Sequence, residues 1–202
     1  MLHHPTLFDP NREGYGFLQK TDKGLFHPGV DYNNGYGDQD RGQEVWAPTW
    51  GTVEYVSPIG TNGGLGNYFV LCHPHNNAWT RYMHLEKIIV HIGETVYPKQ
   101  ICAYLGDTGT VSSHLHSEAL TAEGIEFIKN YHRPYGRYSG GLSQDQVLRY
   151  WKDPIQWIET ENHYVGPDHQ KKLMQAQNAL RWATGLRRNM LLRLIERLTR
   201  LL

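Results

Sequence analysis

The chain has 202 residues, 39% of them hydrophobic, enough for one sizeable core with an appendage and a tight fit for two full domains. Its two cysteines, Cys72 and Cys102, each sit in an apolar strand-like run and read as buried free thiols, so a disulfide scaffold is excluded. The formal charge of zero hides an asymmetry, since residues 170–202 carry +7 and the remainder −7, so body and tail must satisfy different surroundings.

Met1-Leu2-His3-His4-Pro5-Thr6 has neither the basic region nor the apolar core of a secretory signal, and no run of 18 apolar residues offers a spanning helix. The expectation is a protein made in the cytoplasm. Twenty-one glycines, ten prolines and thirteen tyrosines among short apolar runs favour a turn-rich β protein. Strand-like segments follow one another between Gly24 and Leu120: Glu44 to Ala47, Gly51 to Val56, Tyr68 to Cys72, Trp79 to His84, Ile88 to Val90 and Ile101 to Leu105. Turn-forming stretches at Gly60 to Gly66, Pro74 to Asn77 and Gly106 to Gly109 separate them, which predicts an antiparallel sheet.

From Ala122 to Gly141 the glycine- and aromatic-rich sequence reads as an ordered loop near the site. Ser143 and Gln146 form a capping box, predicting a short helix to about Lys152 that stops before Pro154. The sheet region then ends near Ile158, a polar hinge follows, and the tail is helical.

Twelve histidines are present, and three local patterns stand out: His27-Pro28-Gly29-Val30-Asp31, Tyr82-Met83-His84-Leu85 and His114-Leu115-His116. Residues two apart on a strand share a face, so His114 and His116 can enter one cleft while Leu115 packs behind. His27 and Asp31 share a face if the segment between them is extended. Two imidazole nitrogens and a carboxylate oxygen form the donor set that suits Zn²⁺ with an open fourth position. That leaves His84 and one of His114 and His116 free for proton transfer. Any one pattern alone is ordinary in β proteins; their joint occurrence within one β-rich segment is what points to a metal site.

In the order in which they occur, these residues closely resemble the LytM/lysostaphin-type zinc endopeptidases, peptidase family M23. The resemblance runs from about Phe26 to Leu120, with a weaker echo from Lys152 to Ile158, and rests on His27-x-Gly29-x-Asp31, Val45-Trp46-Ala47-Pro48 before Gly51-Thr52-Val53, Gly66-Asn67-Tyr68, Tyr82-Met83-His84-Leu85, Val90-x-x-Gly93-Glu94-x-Val96, Gly106-Asp107-Thr108-Gly109 and His114-Leu115-His116-x-Glu118. It implies that His27, Asp31 and His116 ligate one zinc ion and that His84 and His114 are the unligated catalytic histidines. It also implies a mostly antiparallel sheet and a substrate among the cross-bridge or stem peptides of bacterial peptidoglycan. Glu118, on the strand face of His114 and His116, is a candidate for fixing an imidazole tautomer. Asn67, Tyr131, Tyr135, Tyr138 and Trp151 are candidates for lining a peptide groove; the aromatic ones can equally pack the 122–150 insert onto the sheet. Ser117, in place of a large apolar residue, Tyr97-Pro98-Lys99 and that insert depart from the family pattern and bear on substrate preference. The division expected is a peptidase domain over 1–160, a hinge over 161–169 and a helix over 170–202. A catalytically silent cell-wall-peptide-binding or hydrolase-activating module is the alternative from another class, but it would be expected to have lost ligands and none is missing; a virion-associated protein with local peptidase activity would share the pattern.

On a helical wheel Met190, Leu191, Leu194, Ile195, Leu198, Leu201 and Leu202 share one face, and Arg188, Arg193, Arg197 and Arg200 cover the other. Such a helix can lie on an anionic membrane, pack on the acidic body or pair with a second copy to give a homo-oligomer. The apolar stripe is too continuous for a nucleic-acid-binding arm. Together with the cell-wall resemblance, it fits a phage lysis protein made in an infected host's cytoplasm and acting on the wall.

Overall fold

A computed structural model of the chain describes residues 4–6, 14–34, 37–57, 63–129, 135–136, 142–161 and 185–199. Its centre is one antiparallel sheet. In chain order the strands are β1 (Val30–Tyr32), β2 (Glu44–Trp46), β3 (Gly51–Val56), β4 (Asn67–His73), β5 (Ala78–Ile88), β6 (Thr95–Val96), β7 (Ile101–Leu105), β8 (Leu115–Leu120) and β9 (Trp151–Lys152). They lie in the order β1-β8-β5-β4-β3-β6, with β7 joining β5 to β2 and β9 extending β8. The described helices are α1 (Ala122–Lys129), α2 (Gln144–Tyr150), α3 (Pro154–Glu161) and α4 (Gly185–Thr199).

Both faces of the sheet are covered, and the alternation along β4 shows it. Phe69 and Leu71 enter one apolar cluster with Val30, Tyr32, Val53 and Leu105, while Tyr68 and Val70 enter a second with Leu120, Ile125 and Val147. Burial on both faces explains why β4 reads as a continuous apolar run.

Strand β5 breaks this alternation once. Tyr82 and Leu85, three apart, join the same cluster, and Met83 joins the other. Three steps along β5, from Tyr82 to Leu85, oppose two along β4, from Phe69 to Asn67. The extra residue is accommodated at His84, whose φ is +64°. At this bulge β5 also changes neighbours, pairing with β8 through Met83 and with β7 from Leu85 onward.

Three expectations change. Ala122 to Lys129 is a helix, because Ile125 and Ile128, one helical turn apart, bury into the second cluster and Thr121 Oγ1 accepts the Gly124 N–H at the helix start. The capping box at Ser143 forms, but α2 stops at Tyr150 because Trp151 and Lys152 turn extended to pair with β8. Ile88 continues β5, so no separate strand spans Ile88 to Val90. Helix α3 runs on to Glu161 from Pro154, whose fixed φ suits a first helical position. Both cysteines are free, Cys102 buried and Cys72 half-buried. Gly185 to Thr199 is helical, whereas the rest of the expected 170–202 helix and most of the 161–169 hinge lie outside the described residues. No described helix is long and apolar enough to cross a membrane.

Candidate metal centre

Three strands bring the histidine patterns together. Asp31 on β1 stands opposite His116 on β8, which stands opposite Met83 on β5, with the His84 bulge following. His27 is carried in by the short segment before β1. Gly29 permits that approach, since a Cβ there would lie 2.4 Å from the Ser117 carbonyl oxygen and 2.9 Å from His116 Nε2.

His27 Nε2 is 2.9 Å from His116 Nδ1, which is 2.9 Å from Asp31 Oδ1, and His27 Nε2 is 3.3 Å from that same oxygen. The hydrogen-bond partners set the ring orientations. A carbonyl can only accept, so His27 Nδ1–H donates to the Gly16 oxygen at 3.1 Å, leaving a lone pair on Nε2. His116 is turned the other way, with Nε2–H donating to Glu118 Oε1 at 3.0 Å and Nδ1 facing inward. His27, Asp31 and His116 thus turn polar atoms toward one point, where a proton on His116 Nδ1 holds them together in the absence of a metal. Burial opposes charging His116, but its hydrogen bonds to Asp31 and Glu118 outweigh that and raise it to about 9. Burial likewise opposes ionising Asp31, yet the hydrogen bonds from His116 and His27 hold it well below the usual carboxylate range. The donor set of two imidazoles and one carboxylate, within 4.8 Å of one another, fits a divalent ion such as Zn²⁺.

The backbone of Gly14 to Gly16 braces two of these donors. Tyr15 N–H donates to Asp31 Oδ2 at 3.2 Å, and Asp31 N–H donates to the Tyr15 carbonyl at 2.9 Å. Sequence reasoning missed this brace, because main-chain contacts leave no side-chain pattern; the pair of glycines flanking Tyr15 was the one available signal.

His84 and His114 stand beside the donors, with ring centroids 4.6 Å apart and His84 6.1 Å from the His116 ring. His84 Nδ1–H donates to the Thr108 carbonyl and His114 Nδ1–H to the Ser112 carbonyl, each at 3.0 Å, so Nε2 of each is the unprotonated nitrogen. Burial, reinforced by the neighbouring His114 and His116, lowers His84 to about 3. Burial also lowers His114. Both imidazoles are therefore neutral at pH 7.

All five residues line one groove with a cavity of about 340 Å³, whose other walls include Tyr15, Phe26, Leu65 and Thr110. Several expected groove residues sit elsewhere. Tyr135 is buried on the second cluster and donates its hydroxyl to Glu54, and Trp151 is buried with its Nε1–H on Glu118. The Asn67 amide donates to the Leu85 carbonyl inside the sheet. Tyr131 and Tyr138 lie outside the described residues.

Known proteins resemble parts of this chain. A Haemophilus influenzae protein named an uncharacterized metalloprotease is 38% identical over 112 residues, 55% of this chain and 21% of that protein. The peptidoglycan DD-endopeptidase ShyC of Vibrio cholerae is 38% identical over 95 residues, 46% of this chain and 20% of that protein. The chain thus spans about a fifth of the length of these curated relatives. The solved structure of LytU superposes with a TM-score of 0.50 at 25% identity, over 73% of this chain and 83% of that one. The sequence profile of peptidase family M23 matches residues 25–126, a stretch that holds both histidine pairs, Asp31 and the sheet that assembles them, and the chain belongs to that family.

Proposed function

We propose that the chain is a zinc-dependent endopeptidase that hydrolyses peptide bonds of bacterial peptidoglycan, in the cross-bridge or the stem peptide. The observation that carries the reading is the convergence of His27, Asp31 and His116 in the groove that also presents Nε2 of His84 and His114. The likeness to ShyC, a peptidoglycan DD-endopeptidase, supports the choice of substrate.

His27, Asp31 and His116 would hold the ion, which when bound polarises a scissile carbonyl and acidifies a water molecule. The chain's own groups do the rest. Nε2 of His114 or His84 takes the proton from the attacking water and returns it to the leaving amine as the C–N bond breaks. The imidazole that holds this proton is charged in the interval, and its Nε2–H offsets the negative charge that develops on the carbonyl oxygen. The carbonyls of Thr108 and Ser112 hold both rings in the required tautomer, and the walls formed by Phe26 and Leu65 displace solvent from the groove.

Helix α4 supports a second part of the proposal, contact with an anionic membrane. Met190, Leu192 and Leu194 are exposed on it together with Arg188 and Arg193. Phage-driven lysis of a bacterial host is the setting in which wall hydrolysis and membrane contact belong together.

The test is mass spectrometry of purified peptidoglycan digested with the wild type, with His116→Ala and with a chelated sample. New peptide termini should appear with the wild type alone, and their absence there, with zinc bound, would remove the proposed substrate.

A further inference from the structure

Of the four histidines at the groove, His116 differs in what fixes it. His27, His84 and His114 are oriented by backbone carbonyls, while His116 is oriented by a charged carboxylate, Glu118. That carboxylate is fully buried, as is its ion-pair partner Arg81. Arg81 faces Glu118 across β5 and β8 and grips it in a fork, Nη2–H to Oε1 and Nε–H to Oε2, each at 3.0 Å. Trp151 Nε1–H donates to Oε2 at 2.9 Å. With His116 Nε2–H also on Oε1, each oxygen accepts at least two hydrogen bonds, so the carboxylate cannot rotate without breaking one.

Burial alone would raise the Glu118 carboxyl, but the Arg81 guanidinium outweighs it and keeps the group ionised. Stability gives a weak reason to retain such a pair, since an apolar replacement often serves as well. A charged acceptor at the outer nitrogen of a ligating imidazole does more: it fixes the ring and strengthens the inner nitrogen as a donor.

The clamp draws on chain beyond the stretch that matches the family. Arg81 Nη1–H donates to the Tyr135 carbonyl at 2.7 Å. Trp151 is delivered where α2 ends and β9 pairs with β8, and Phe127 of α1 meets its ring edge to face. Helices α1 and α2 therefore pack around Trp151, the side chain that finishes the clamp.

We propose that Arg81 and Trp151 are positioning residues for the metal centre, acting through Glu118 on His116, and that α1, α2 and β9, which deliver Trp151, are thereby a working part of the site. The proposal rests on the metal-binding reading above and deepens it.

The experiment uses the full chain stripped of metal, with zinc affinity measured by competition against a chromophoric chelator for the wild type, Trp151→Phe, Glu118→Gln and the double variant. Phe keeps the ring and gives up the N–H. Glu118→Gln should weaken zinc binding by roughly 10–100-fold. Trp151→Phe should weaken it by about threefold to tenfold, within the span of a single lost hydrogen bond, and should add nothing in the Glu118→Gln background. In the zinc-loaded wild type the His116 Nε2–H proton should give a downfield, slowly exchanging NMR signal that moves upfield in Trp151→Phe. Arg81→Lys, which keeps the charge and loses the fork, is a second route to the same readouts if Trp151→Phe does not fold. Unchanged zinc affinity and an unmoved signal in these variants, or a Trp151→Phe loss that adds in full to that of Glu118→Gln, would overturn the proposal while leaving the metal site standing. A wild type that takes up no zinc would overturn both.

Discussion

His27 Nε2 and His116 Nδ1 face each other at 2.9 Å although 89 positions separate them in the chain. Without a metal a proton on His116 Nδ1, held by Asp31 Oδ1, keeps the two nitrogens together, and a divalent ion would take that proton's place. The three strands that converge here thus bring together a donor set that could hold a metal ion, and the proposed catalytic roles depend on it.

Removing a groove histidine that is not a donor should separate chemistry from metal. His114→Ala is expected to lower kcat by roughly a hundredfold to ten-thousandfold, the usual worth of a general acid or base, while zinc stoichiometry stays at one per chain. Loss of zinc along with activity would make His114 a ligand and contradict the assignment made here.

The carbonyl that orients His84 packs against Gly66. Its φ is +62°, and a Cβ there would lie 1.9 Å from the Thr108 carbonyl oxygen, the same atom that orients His84. Gly66→Ala should cost at least ~2 kcal/mol in urea unfolding, from positive-φ strain and the clash, and should lower activity more than zinc affinity. A variant as stable and active as the wild type would show that this backbone contact carries no function.

Away from the groove, His73 is fully buried, with Nδ1–H on the Trp50 carbonyl and Nε2 beside Thr80 Oγ1. Burial pushes it down to about 4 from the ordinary 6.5. Between these values the unfolded chain binds the proton and the folded one resists it. The contribution is therefore present in full above pH 6.5 and lost as pH falls toward 4, by about 3 kcal/mol. Urea midpoints measured from pH 7 to pH 4 should fall more steeply in the wild type than in His73→Gln; parallel slopes would contradict this.

Membrane contact by α4 predicts that the full chain sediments with anionic lipid vesicles and stays in solution with zwitterionic ones. Leu194→Glu, on the exposed apolar side, should abolish sedimentation without altering zinc binding. Equal recovery with both lipids, or an unaffected Leu194→Glu, would remove the membrane from the proposal.

Spacing made much of this legible in advance. The two-residue step from His114 to His116 and the four-residue step from His27 to Asp31 are consequences of extended backbone, and both survive folding because β8 and β1 are strands or lead into them. The capping box at Ser143 was equally local. What escaped depended on register or on main-chain atoms. Nothing near His84 announces a bulge, since the extra residue is visible only against β4. Arg81 and Glu118 are 37 positions apart and meet because β5 and β8 pair in one register. Helix α1 was obscured by the glycine- and aromatic-rich stretch after it, and of the two readings open for Tyr135 and Trp151, groove wall or packing onto the sheet, the structure has the packing.

The most direct test is calorimetric titration of zinc into metal-free wild type, Asp31→Ala and His116→Ala. One zinc per wild-type chain, with binding lost or weakened by orders of magnitude in both variants, is the predicted result. A folded wild type that binds no zinc, or variants that bind it as tightly, would contradict the claim that His27, Asp31 and His116 form a metal centre.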